Sequence, residues 1–62
     1  MKFKDLYTKN FMLNVSLNTR ECVKNIGVGY KTKFDLYYDC EVIYVKELNN
    51  ITEVILEDDD EQ

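Results

Sequence analysis

Alternation, more than helical spacing, organises the apolar positions of this chain. Phe11, Leu13, Val15 and Leu17 alternate with Met12, Asn14 and Ser16, the period-two signature of a half-buried strand. Asn18 to Glu21 reads as a turn. A second strand, over residues 22–29, is expected to return antiparallel to the first. Its Gly27-Val28-Gly29 marks a bulge or a sharp bend.

Residues 41–57 carry the strongest pattern. Two apolar runs flank Asn49-Asn50, a pair that tolerates positive φ and suits a two-residue hairpin turn. Counting outward from that turn sets Leu48 opposite Ile51, Lys46 opposite Glu53, Val45 opposite Val54, Tyr44 opposite Ile55 and Ile43 opposite Leu56. Every pair is chemically sensible. Ile43, Val45, Val54 and Leu56 then share one face; Val42, Tyr44, Leu48, Ile51 and Ile55 share the other. Both faces are largely apolar, so one covers the core and the other is expected to meet a helix, a second sheet or a partner chain.

Helical signals are short. Phe3, Leu6 and Tyr7 fit one helical face, with the alternation Phe3, Asp5, Tyr7 as a competing strand pattern. Thr32 and Asp35 stand at capping-box spacing before Leu36, Tyr37 and Tyr38, which predicts a helix over 33–38. A strand placing Tyr30, Thr32, Phe34 and Leu36 on one face is the alternative. The expected fold is α+β: two β-hairpins in one small antiparallel sheet, with one or two short helices. Residues 1–57 form the single domain and residues 58–62 an acidic tail.

At 62 residues a domain buries only about 60% of the surface its unfolded chain exposes, and its core stabilises it by only a few kcal/mol. With no histidine and one serine, the common nucleophile–base pairs cannot be assembled, so the chain is not expected to be an enzyme. Two cysteines without histidine cannot complete a four-ligand zinc site, and no cofactor or metal is expected. Cys22 and Cys40 could close a loop worth about 3 kcal/mol, or serve as small apolar fillers. The first residues lack the apolar stretch of a signal peptide. Together with the cysteine count, this gives the expectation of a cytoplasmic protein with reduced thiols.

Charge is sharply segregated. Residues 1–33 hold seven Lys or Arg against two Asp or Glu; residues 34–62 hold one against ten, and the chain carries −4 overall. That balance argues against direct nucleic-acid binding. It points instead to a protein partner with a basic surface.

The Met1-Lys2-Phe3-Lys4-Asp5-Leu6 start, the early hairpin, the short helical turn, the strand Cys40-Glu41-Val42-Ile43-Tyr44-Val45 and the final hairpin arm together resemble small proteins encoded by phages of Gram-positive bacteria. That group includes inhibitors of host machinery, anti-CRISPR and other anti-defence proteins among them. The resemblance implies a phage-type inhibitor acting in the host cytoplasm, and transfers no functional residue.

The candidate partner-binding residues are carboxylates with two aromatic anchors. Asp35, Asp39, Glu41 and the run Glu57, Asp58, Asp59, Asp60 and Glu61 could occupy contacts that a partner keeps for phosphates. The plain alternative is a solvated terminus. Tyr37 or Tyr38 supplies the apolar anchor. The two-sided apolar hairpin adds the expectation of a homodimer. An accessory subunit joining through an edge strand is a second possibility. The third is a weak nucleic-acid binder using Lys2, Lys4, Lys9, Arg20, Lys24, Lys31 and Lys33, with Tyr7, Phe11 and Tyr30 stacking on bases.

Overall fold

The computed structural model describes residues 1–58 and is a small α+β fold built on one four-stranded mixed sheet. Strands β1 (Met12–Asn18), β2 (Val23–Tyr30), β3 (Val42–Glu47) and β4 (Thr52–Glu57) lie in the order β2-β1-β4-β3. Two 3-10 segments, η1 (Phe3–Asp5) and η2 (Lys31–Tyr37), cover one face.

Both expected hairpins form, but they join through a parallel pairing. β1 runs parallel to β4, with Leu13 beside Thr52, Val15 beside Val54 and Leu17 beside Leu56. The wholly antiparallel sheet is therefore corrected to a mixed one. The reason lies in the connection: residues 31–41 carry the chain from one edge, β2, across the covered face to the other edge, β3. The last hairpin then places its more apolar strand in the centre. Val54, Leu56, Leu13 and Val15 are all buried there.

Within the last hairpin the register matches the count made from the turn for Lys46–Glu53, Val45–Val54 and Tyr44–Ile55. The register then slips by one. Leu56 pairs with Val42, so Ile43 is the extra residue of a bulge and stands exposed while Val42 packs on the core. The turn closes through Leu48 N–H donating to Ile51 C=O. Neither Asn49 nor Asn50 takes positive φ, so the turn does not use the conformation that made the pair suit it. The Leu48 carbonyl instead accepts a hydrogen bond from Asn10 Nδ2 at 3.0 Å. The same amide donates to the buried Thr52 hydroxyl at 3.0 Å, so one side chain holds the start of β1 to the hairpin.

β2 carries the expected irregularity. Val15 faces Gly27 and Ser16 faces Asn25, leaving Ile26 as the bulged residue. Gly27 has φ 151°, a region that L residues avoid at a cost of about 1–3 kcal/mol. The Lys33 stem lies over both glycines: a Cβ on Gly29 would stand 2.6 Å from Lys33 Cδ, and Lys33 Nζ donates to Val28 C=O at 3.0 Å. Gly27→Ala is expected to lower unfolding free energy by about 1–3 kcal/mol in urea titration; no measurable loss would mean that the bulge is not strained.

Both helical segments are of the tighter 3-10 kind. η1 is one turn that stops where Leu6 becomes extended (φ −71°, ψ 134°). In a three-residue repeat i and i+3 eclipse, so Phe3 and Leu6 both turn inward and Tyr7 is left outside. η2 starts at Lys31, not after Thr32, and no side chain caps it. A kink at Phe34 (φ −110°, ψ 32°) seats that ring in the core.

Phe3, Leu6, Leu13, Val15, Phe34, Val54 and Leu56 form the buried cluster, with Leu17, Ile26, Tyr37, Tyr38, Cys40 and Val42 packed around it. The Phe3 ring meets Phe34 edge-on at 6.4 Å and Tyr38 at 5.9 Å between centroids. No disulfide joins the cysteines: Cys22 is exposed in the first turn and Cys40 packs on the core.

Candidate functional site: an aromatic groove and an acidic end

Residues 1–10 form a strap across the covered face. At one end Phe3 N–H donates to Cys40 C=O, Lys4 N–H to Tyr38 C=O and Val42 N–H to Met1 C=O, a short antiparallel bridge between Lys2 and Glu41. At the other end Lys9 N–H donates to Glu47 Oε2 and Asn10 holds Leu48 and Thr52. In the middle Lys31 Nζ donates to the carbonyls of Lys4 and Leu6, at 2.8 and 2.9 Å. It lies 5.7 Å from the Phe3 ring centre and 6.0 Å from that of Tyr38.

Between the strap and the junction of β2 with η2 lies a groove of about 520 Å³. Leu6 and Leu13 line its base and Tyr7, Phe11 and Tyr30 its walls. Those three aromatic side chains are 93%, 86% and 62% exposed. Phe11, expected as the first inward residue of β1, lies before the strand begins at Met12 and turns to the groove instead. Three large rings are thus left outward at one place, whereas exposed apolar residues scattered singly over a surface are ordinary. The sequence pointed to this trio as a stacking set, but strap, strand start and strand end are what bring it together.

The acidic candidates gather partly, at the other end. β1 and β4 are parallel, so both begin at the groove and both finish away from it. There Glu57 N–H donates to Glu41 C=O and Asp58 N–H to Asn18 C=O, which puts Glu41, Glu57 and Asp58 side by side. Glu41 is engaged by the α-ammonium of Met1 and by Lys2, and Asp39 by Lys4 at 3.6 Å. The basic half of the sequence thus neutralises part of the acidic half. Asp35 stands apart, exposed on η2. Tyr37 and Tyr38 are half-buried against the core. Asp59, Asp60 and Glu61 lie outside the described residues.

The hydrogen bond from the α-ammonium, then its charge, then Lys2, hold the Glu41 carboxyl below its ordinary value of 4.5. A carboxyl lowered in the folded state adds stability that is complete above its unfolded value and is lost as pH falls through its folded value. Stability measured against pH should therefore show wild type above Glu41→Gln at neutral pH, the gap closing below pH 4.5. A gap independent of pH would remove the ion pair as its cause.

The uncovered sheet face is mixed rather than continuously apolar. Asn14 and Glu53 are neighbours, as are Ser16 and Ile55. Asn25 Nδ2 donates to Asn14 Oδ1 at 2.7 Å and to Ser16 Oγ at 3.2 Å. The second face of the last hairpin thus carries Tyr44 and Ile55 beside these polar side chains. Among the described residues no cluster of Cys, Asp or Glu is placed to hold a metal ion, and no helix is long and apolar enough to cross a membrane. No protein-family model, no curated protein and no solved structure matches this chain.

Proposed function

We propose that this chain is a protein–protein interaction module, of the inhibitor kind that the sequence resemblance implies, and that it grips its partner through the aromatic groove. The observation that carries this reading is the convergence of Tyr7, Phe11 and Tyr30, all strongly exposed, around one apolar concavity. Tyrosine and phenylalanine offer large contact area at low conformational cost, and such rings dominate binding energy where they meet a partner. A groove lined by Leu6 and Leu13 gives an inserted side chain an apolar seat.

Phosphate mimicry by the carboxylates is the second reading. The adjacency of Glu41, Glu57 and Asp58 at one end of the sheet favours it. A basic partner would meet this end with steep salt dependence. The two readings place the contact at opposite ends of the molecule.

Pull-down from host lysate separates them, with wild type compared to Tyr7→Ala/Phe11→Ala and to a tail variant carrying Asp58→Asn, Asp59→Asn, Asp60→Asn and Glu61→Gln. The groove reading expects capture to fall with the aromatic variant, to survive high salt and to ignore the tail. Loss with the tail variant and at high salt, with no effect of the aromatic substitutions, would overturn it in favour of mimicry.

A further inference from the structure

Lys31 is an unusual wall residue for an apolar groove. Its ammonium is fixed from two sides by the Lys4 and Leu6 carbonyls and faced by two rings. An ammonium has three donors, and the two carbonyls take two of them. The carbonyls orient the charge but do not cancel it. Among the described residues no carboxylate pairs with Lys31, and none lines the groove. The neighbouring Lys33 likewise gives its ammonium to a backbone carbonyl, that of Val28. The chain as a whole carries −4, yet this groove has one held cation, Lys31, in its wall beside exposed rings.

Taking the groove as the contact surface, we infer that its occupant is an extended peptide segment of a partner protein in which a bulky apolar side chain is flanked by carboxylates. The apolar side chain seats on Leu6 and Leu13 among Tyr7, Phe11 and Tyr30. A neighbouring carboxylate takes the remaining Lys31 donor, a charge-assisted bond of the stronger kind. Because Lys31 is already immobilised, ordering it on binding costs little. A peptide is favoured over a nucleic acid because it brings one or two negative charges. An oligonucleotide brings one per phosphate, towards a protein that is already net negative.

Fluorescence anisotropy with three labelled probes tests this: the hexapeptide Gly-Glu-Leu-Phe-Glu-Gly, its counterpart Gly-Lys-Leu-Phe-Lys-Gly, and oligothymidylate. Each is titrated with wild type, Phe11→Ala and Lys31→Gln, after circular dichroism has shown the variants folded. Phe11→Ala, at an exposed position, keeps the test usable if Lys31→Gln loosens the strap. The glutamate probe is expected to bind about tenfold more tightly than the lysine probe and to lose about tenfold with Phe11→Ala. If the lysine probe binds as well or better while Phe11→Ala still weakens it, the charge assignment is wrong and the groove remains the contact surface. Binding of neither peptide would overturn both. Binding of oligothymidylate alone, lost in Phe11→Ala, would transfer the groove to nucleic acid.

Discussion

Phe3→Ala is expected to abolish the folded state. The ring is fully buried and meets two other aromatic rings of the covered face, Phe34 and Tyr38. Truncating a buried Phe to Ala costs about 3–5 kcal/mol. A core in a domain of this size supplies about 3–5 kcal/mol in all. Far-UV circular dichroism and amide dispersion by NMR should report an unfolded chain. Phe3→Leu should keep the fold with a smaller loss, since a hydrophobic replacement retains most of the volume. A folded Phe3→Ala protein losing less than about 1 kcal/mol, well under that range, would show that the strap is not part of the core.

Lys31→Met ranks second. It keeps the aliphatic stem and removes only the ammonium, leaving the carbonyls of Lys4 and Leu6 without their donor. A hydrogen bond to a charged group contributes about 1.5–3 kcal/mol. Two such bonds at a partly exposed site, discounted for screening by solvent, set the expected loss at about 2 kcal/mol. Hydrogen exchange gives the sharper readout. The amides of Phe3, Lys4 and Leu6 should open at lower free energy than those of β1 and β4, whereas in wild type the strap and sheet should be closer together. Uniform loss of protection across all strands would mean that Lys31 acts on the whole core and not on the strap.

What the sequence disclosed follows the range over which each interaction acts. The last hairpin was legible because Asn49-Asn50 is local and because Lys46–Glu53 and Val45–Val54 check each other within a few residues of it. The slip at Ile43 was not. Val42 and Ile43 are adjacent β-branched residues, so an inward–outward count cannot tell which of them is the extra one. The parallel pairing of β1 with β4 was hidden for a different reason. Alternation says which face of a strand is buried and nothing about which edge it pairs along. Thr32 and Asp35 showed capping-box spacing, but the segment begins at Lys31 without a side-chain cap, and a kink at Phe34 seats that ring in the core. Tyr7, Phe11 and Tyr30 were visible as residue types suited to stacking. Their meeting depends on the strap being latched by Lys31 and Asn10, contacts that reach across tens of residues and leave no periodic trace.

The central pairing also sets how the molecule must fold. Residues 13–18 meet residues 52–57, so neither hairpin can bury its apolar face until the other has arrived. A lone two-stranded hairpin is at best marginal in water, and closing so long a loop costs entropy before any contact rewards it. Docking of the two hairpins is therefore expected to be the slow event. Substitutions at Val15 or Val54 should slow folding itself, whereas those on the β3 edge, at Tyr44 or Val45, should act mainly by hastening unfolding.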